Sequence, residues 1–274
     1  MTMRALKKQW PENDVLHKVP LTLDLILAIC RAMPGWPDLD ALSWADLTWA
    51  TASAVAFFAA LRGGEFFVYP KSTRLVLLRT DIKILRNKAG QYVKVNIGKP
   101  KVRTHLASEP AFAGSPGEGH ELDPATLYKF MDDKRKRLFP KSISRSAACP
   151  AFCLIDGSPI TRAFMVGKAN FMCRKAGIEV FDDEGNSIPI TAASWRAGYA
   201  NSARAAEVDP LTIRAVGRWA STDGPIPYIV DTTEEIQKAS SKIVLTYTDI
   251  SSMRTSSYAG GHFATSAIFE SRER

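Results

Sequence analysis

The chain has 274 residues and a formal net charge of +8, from 36 Lys and Arg against 28 Asp and Glu. Its 46% hydrophobic and 23% charged residues are those of an ordinary globular protein, which excludes wholesale disorder, collagen and a coiled coil. No run of about 20 apolar residues occurs, so a membrane span is not expected, and the first residues lack the apolar stretch of a signal peptide.

The positive surplus favours anionic partners, nucleic acid ahead of an anionic membrane. Residues 1–20 are polar and basic and read as a linker or arm. Residues 21–33 predict a helix: Thr22 can cap it, Leu23, Ile26, Leu27 and Cys30 form an apolar stripe, and Pro34 stops it. Residues 47–61 are apolar nearly all round, the pattern of a buried helix, and run directly into Arg62-Gly63-Gly64-Glu65.

The texture then changes. Residues 74–85 are rich in Leu, Val and Ile, and residues 92–97 alternate, with Val93, Val95 and Ile97 on one face and Tyr92, Lys94 and Asn96 on the other. Asn87-Lys88-Ala89-Gly90 between them has hairpin chemistry. These features predict an antiparallel sheet of two or three strands, the last near 101–107, then a Gly/Pro loop over 113–121. Helices resume over 124–138, 161–176, 191–206, 210–216 and 232–245. From Ser251 the Ser/Gly-rich chain is expected to be disordered. The expected fold class is α+β, mainly helical, with a small antiparallel sheet, divided into an arm (1–20), one domain (21–250) and a tail (251–274).

Four cysteines, Cys30, Cys149, Cys153 and Cys173, are too few for a disulfide scaffold. Cys149 and Cys153 form a C-x3-C pair with no second pair to complete a four-ligand zinc site. The four histidines, His17, His105, His120 and His262, are dispersed, so neither a metal nor a cofactor is expected.

Three segments carry candidate chemistry. Arg62 emerges from an apolar helix with Glu65 in local reach, and a buried unpaired charge is costly. Arg196 sits on a helix otherwise made of small residues, which let a backbone or a phosphate come close. Gly217-Arg218-Trp219 precedes Tyr228 in an irregular Gly/Pro segment of the kind that presents reactive side chains. Alone, each is more simply structural: an Arg–Glu pair, a packed helix with a surface Arg, an anchoring Tyr.

Their order changes the reading. Leu61-Arg62-Gly63-Gly64-Glu65 resembles the first-arginine motif, Leu-Arg-x-x-Glu, of the tyrosine recombinase (phage-integrase) catalytic domain. Residues 191–217 resemble that family's second-arginine helix and the run that follows it, and the separation of Arg196 from Arg218 suits it. The Gly-Arg-Trp form is most similar to recombinases of eukaryotic mobile elements, the Crypton and DIRS-like groups. The resemblance implies the recombinase catalytic fold and cleavage and rejoining of double-stranded DNA through a 3′-phosphotyrosine. Arg62, Arg196 and Arg218 would clamp the phosphate, with Trp219 beside them, and Tyr228 would be the nucleophile. A lysine after the sheet would protonate the leaving oxygen; Lys101 is preferred, with Lys99 the alternative. It further implies self-association on DNA as a tetrameric synapse, in an intracellular protein that is nuclear if the host is a eukaryote.

The chain also departs from the pattern. Ala193 stands three residues before Arg196, where the family carries His, so the usual general base is missing and cleavage should be slow. Ser194 is adjacent but is expected to face elsewhere. The interval from Arg218 to Tyr228 is one residue longer than the family's, with Tyr247 and Tyr258 as fallback nucleophiles. Only about 20 residues precede the first expected helix, so the family's separate core-binding domain is expected to be missing and specific binding to be weaker. The basic residues of 134–137, with Arg162, Lys168, Arg174 and Lys175, are expected to contact phosphates. Two other readings stand beside an active recombinase: an inactive descendant that only binds DNA, and an unrelated basic α+β protein.

Overall fold

In a computed structural model, residues 19–69, 76–98, 110–117, 119–144, 146–178, 180–181, 189–219, 241 and 262–263 are described. Helix α1 (Leu23–Arg31) starts where expected, because the Thr22 hydroxyl accepts from the Leu25 N–H at 3.4 Å. Helix α2 (Trp44–Phe58) begins ahead of the apolar run that predicts it. Ser43 caps it, accepting from the Asp46 N–H at 3.0 Å, and Asp46 suits the positive end of the helix. From Leu47 to Phe58 every residue of α2 is buried. Its indoles are satisfied internally: Trp44 Nε1 donates to the Cys153 carbonyl and Trp49 Nε1 to the Met165 carbonyl, both at 2.9 Å.

A one-turn helix α3 (Gly63–Phe66) follows, then the sheet: β1 (Ile82–Asn87), β2 (Gly90–Val95) and β3 (Ala111–Gly114), antiparallel in that order. The hairpin register sets Asn87 opposite Gly90, as the turn chemistry predicts. The third strand is a correction: it occupies residues 111–114, where the Gly/Pro loop was expected to begin, and 101–107 lie outside the described residues. Ala111 and Ala113 carry little strand propensity, but their small side chains let the sheet close on α2.

Helix α4 (Pro124–Leu138) coincides with its expected span, capped by Asp123, with α5 (Lys141–Ser144) behind it. Helix α6 (Arg162–Lys175) is capped by Thr161 and stops before Gly177, whose φ of +67° closes the helix. Then come β4 (Val180–Phe181), α7 (Ser194–Ala205), α8 (Pro210–Gly217) and β5 (His262–Phe263), which pairs antiparallel with β4. The expected helix over 232–245 lies outside the described residues except for 241, as does the tail except for β5. The fold is α+β and mainly helical, and no helix among the described residues is long and apolar enough to cross a membrane.

The core forms around α2, which packs against α1, α4, α7 and β3. Helix α7 meets it through buried aromatics: Trp195 against Trp49 at 6.4 Å and Phe66 at 5.6 Å, and Tyr199 against Phe57 at 6.0 Å between ring centroids. On another side α7 touches main chain. Leu21 N–H donates to the Ser194 carbonyl at 2.9 Å, and a Cβ on Gly198 would lie 1.8 Å from the Leu21 carbonyl oxygen. Gly198 is therefore what lets the chain entering α1 lie flat on α7. Gly198→Ala should destabilise the protein by about 1–3 kcal/mol through overpacking. Denaturant titration with an unchanged midpoint would show that Leu21 is not seated there.

Candidate functional site

Arg62 owes its position to the way α2 ends. Ala60 takes a left-handed conformation (φ +45°), and Leu61 N–H reaches back to the Ala56 carbonyl at 2.9 Å, a Schellman closure built without glycine. The chain turns out of the core, and Arg62 becomes the first residue before α3. Glu65 then reaches back to it: Arg62 N–H donates to Oε2 at 2.7 Å, and Arg62 Nη1 to Oε1 at 3.1 Å. A Cβ on Gly63 would lie 2.7 Å from Phe67 Cζ and 3.0 Å from Ala192 Cβ, so a residue without a side chain is needed here for α3 to approach the start of α7.

Arg218 arrives by the same device. It caps α8 in the left-handed conformation (φ +53°), with Trp219 N–H donating to the Arg214 carbonyl at 3.1 Å. Its Nη2 donates to Glu65 Oε2 at 2.6 Å, and its Nη1 to the Ala59 carbonyl at 3.5 Å. In return its carbonyl accepts from Arg62 Nη2 at 3.4 Å. Arg62, Glu65 and Arg218 thus form a closed ring. The Glu65 and Arg218 side chains are 8% and 5% exposed, whereas Arg62 is 45% exposed and opens to solvent. Arg218 was expected to help clamp a phosphate; in the ring it holds Glu65, which holds Arg62.

Arg196 lies in the first turn of α7 and is 8% exposed. Its guanidinium carbon sits 4.2 Å from the centroid of the Trp219 ring, a cation–π contact. A Cβ on Gly217 would fall 1.7 Å from Trp219 Cζ3, so the ring folds back over the end of α8 only because residue 217 is glycine. Arg214 Nε donates to the Trp219 carbonyl at 3.3 Å and steadies it. Arg196 Nη1 is buried without a hydrogen-bond partner. Burial first, and then the neighbouring Arg62 and Arg218 cations, push the Arg196 guanidinium down to about 9, which Glu65 only partly offsets. Three guanidiniums therefore share one carboxylate, and the least satisfied cation is the most buried of Arg62 and Arg196. A buried donor without an acceptor is costly, and an anion bound here would remove that cost.

Of the expected site residues, Arg62, Arg196, Arg218 and Trp219 converge, while Lys101 (with Lys99) and Tyr228 (with Tyr247 and Tyr258) lie outside the described residues. Ala193 is exposed, and Ser194 is buried with its Oγ accepting from the Thr191 N–H at 2.9 Å, which ties the chain entering α7 to the helix. Gly217 and the second bond of Glu65 were not anticipated. The glycine's neighbour on a helix end was the available signal; nothing local pointed from Glu65 to Arg218.

The expected phosphate contacts of α4 need correction at Lys134 and Arg135. Arg135 is fully buried, donates to the Ala151 carbonyl and pairs with Asp132 at 3.3 Å. Lys134 Nζ donates to the carbonyls of Leu39, Asp40 and Leu42 at 3.2, 2.9 and 2.8 Å. Lys136 pairs with Asp132 and Asp133, Arg137 with Asp40, and on α6 Lys168 with Asp46 at 2.6 Å. Lys134, Arg135, Arg137 and Lys168 thus reach groups beyond their own helices, Lys136 pairs within α4, and Lys136, Arg137, Arg162, Arg174 and Lys175 remain exposed. Among the described residues no His, Cys, Asp and Glu group of three or more is placed to hold a metal.

No family model matches the sequence, and no curated protein does. Among solved structures the chain is similar to the XerH site-specific recombinase bound to its palindromic difH substrate in a post-cleavage complex, at 14% identity over 85% of this chain and 51% of that one, with a TM-score of 0.47. It is similar to the pre-cleavage complex of XerH with difH at 15% identity over 80% of this chain and 50% of that one, again with a TM-score of 0.47. The chain spans about half the length of these recombinase chains.

The cluster predicts a response to simple anions. Inorganic phosphate should raise the melting temperature, by the equivalent of about 2.7 kcal/mol at a concentration a hundredfold above its Kd. Arg196→Met removes a desolvated cation and should melt no lower than the native protein in phosphate-free buffer, yet lose the response. A phosphate response retained in Arg196→Met, measured by calorimetry, would place the anion elsewhere.

Proposed function

We propose that the chain cleaves and rejoins double-stranded DNA through a 3′-phosphotyrosine intermediate, as a tyrosine recombinase acting in site-specific recombination or integration of a mobile element. One observation carries the reading: the buried Arg196 guanidinium, with an unpartnered Nη1, beside a ring in which Arg62 and Arg218 already share the one carboxylate. Attack on a phosphodiester adds negative charge to its equatorial oxygens, and preorganised guanidiniums stabilise that charge more than the ground state. Arg196 and the open side of Arg62 would bind those oxygens, while Glu65, Arg218 and Trp219 hold the pair in place.

In this mechanism the Tyr228 oxygen attacks phosphorus, the bond to the 5′-oxygen breaks, and Lys101 gives that oxygen its proton. The phenol proton passes to solvent, because Ala193 offers no base. Rejoining reverses the step, with a 5′-hydroxyl attacking the phosphotyrosine. Assembly as a tetrameric synapse and an intracellular location, nuclear in a eukaryotic host, belong to the same proposal. The exposed Ala193 favours a second reading, an inactive descendant that retains only DNA binding.

The experiment is covalent trapping on nicked duplex DNA, read as a shifted band on a denaturing gel. Native protein should trap slowly, Tyr228→Phe not at all, and Ala193→His at least about tenfold faster, since a general base typically contributes 10²–10⁴-fold. Trapping that persists in Tyr228→Phe would reassign the nucleophile, with Tyr247 next. Tight DNA binding with no trapping in the native protein or in Ala193→His would select the inactive reading.

A further inference from the structure

The sheet has two unlike faces. Val93, Val95, Ala111 and Ala113 are buried against the helices, so strand alternation sends Lys83, Leu85, Tyr92, Lys94 and Phe112 to the opposite face. There the register sets Lys83 directly across from Lys94, and Lys94 across from Phe112. Side chains directly opposed on antiparallel strands stand with their Cβ atoms about 5 Å apart, and like charges so placed destabilise a sheet. Lys83 is exposed and Lys94 half-buried, and neither makes an ion pair among the described residues. The hairpin over 82–98 carries Lys83, Arg86, Lys88 and Lys94 and no Asp or Glu. This contrasts with the 134–137 run of α4, whose cations are matched by carboxylates and carbonyls of the protein itself. The buried Tyr92 and the half-buried Phe112 pack beside the lysine row with centroids 6.2 Å apart.

We propose that this outer face of the sheet is a second contact for double-stranded DNA, in which Lys83 and Lys94 together bind phosphates of the backbone. Two cations bordered by the half-buried Phe112 ring match a chain in which anionic phosphates alternate with apolar deoxyribose. The phosphates supply the counter-charge that the opposed lysines lack, so their repulsion is relieved on binding. The contact is separate from the Arg62–Arg196–Arg218 cluster and rests on the DNA reading above, though not on cleavage.

The test uses the full chain, a duplex of about 30 base pairs and fluorescence anisotropy over a range of salt. Each phosphate contact contributes about 0.9 to the slope of log K against log salt, so Lys83→Gln/Lys94→Gln should flatten the slope by about 2 and weaken binding at low salt at least tenfold. The double variant should melt at the same temperature as the native protein or higher, because it loses a like-charge pair. An unchanged slope, with binding still weakened by Arg196→Met, would overturn the second contact and leave the recombinase reading standing. A flattened slope in a protein that never traps on nicked DNA would support the contact while cleavage fails. A lower melting temperature would make the lysines structural and overturn it. Polyglutamate that displaces duplex from the native protein but binds the double variant less well would assign the face to an acidic polypeptide and also overturn it.

Discussion

Glu65 is one carboxylate among three guanidiniums, and much of the surrounding structure is arranged around that imbalance. Its two oxygens are taken by Arg62 and Arg218, so Arg196 is left with a ring face for company instead of a counter-ion. A cation–π contact offsets part of the cost of burying a cation but supplies no acceptor for its N–H groups. The remaining cost persists because the neighbours are rigid. Arg196 is fixed to α7, α7 is locked to α2 by Trp195 and Tyr199, and Leu21 lies against Gly198 behind it. Sites for anions whose charge grows during a reaction are built this way, with the stabilising charge in place before the ligand arrives.

Three helix ends share one geometry. Helices α2, α7 and α8 each finish on a left-handed residue that is not glycine: Ala60, Glu207 and Arg218. Each closes with an N–H reaching five residues back, from Leu61 to Ala56, Val208 to Ala203 and Trp219 to Arg214. A side chain in that conformation costs roughly 1–2 kcal/mol, which glycine would avoid. At Arg218 the reason is visible, because the left-handed turn sends the guanidinium to Glu65 and the carbonyl to Arg62 while starting Trp219 back toward Arg196. Glycine would make the turn more easily and leave the ring open. At Ala60 the turn releases Arg62 from a helix that is otherwise buried on every side. The strain is placed where the chain must leave the core carrying a charge.

How much of this the sequence disclosed follows from the range of each interaction. Caps and stops act over three or four residues, so Thr22, Thr161 and Asp123 marked their helices, and Asn87-Lys88-Ala89-Gly90 its hairpin. Glu65 was legible as the partner of Arg62 because it is three residues away, and illegible as the partner of Arg218, which follows 153 positions later. Strand β3 was missed because its residues fit the sheet by being small, which resembles loop composition. Lys134 and Arg135 of α4 were misread for a related reason. A run of Lys and Arg looks like a phosphate-binding face until Asp40, Asp132 and the carbonyls of Leu39 and Leu42 are placed beside it.

That correction changes what the net charge of +8 means. Had the α4 cations been free, the positive field would spread over the helices, and binding to nucleic acid would be diffuse. With Lys134, Arg135 and Lys168 engaged internally, two sources of the field among the described residues are the cluster around Arg196 and the hairpin, where no acid residue stands between 82 and 98, with the exposed Arg162, Arg174 and Lys175 adding to it. The two differ in kind. Around Arg196 the charge is buried, directional and poorly screened by salt, so it can discriminate one phosphate geometry from another. On the hairpin the lysines are flexible and at least partly exposed to solvent, so they attract any backbone phosphate and weaken steeply as salt rises. On the proposed reading, the hairpin would hold a duplex by attraction of the second kind while the cluster selects one phosphate. Affinity and chemistry would then be carried by different residues, and each could be altered without the other.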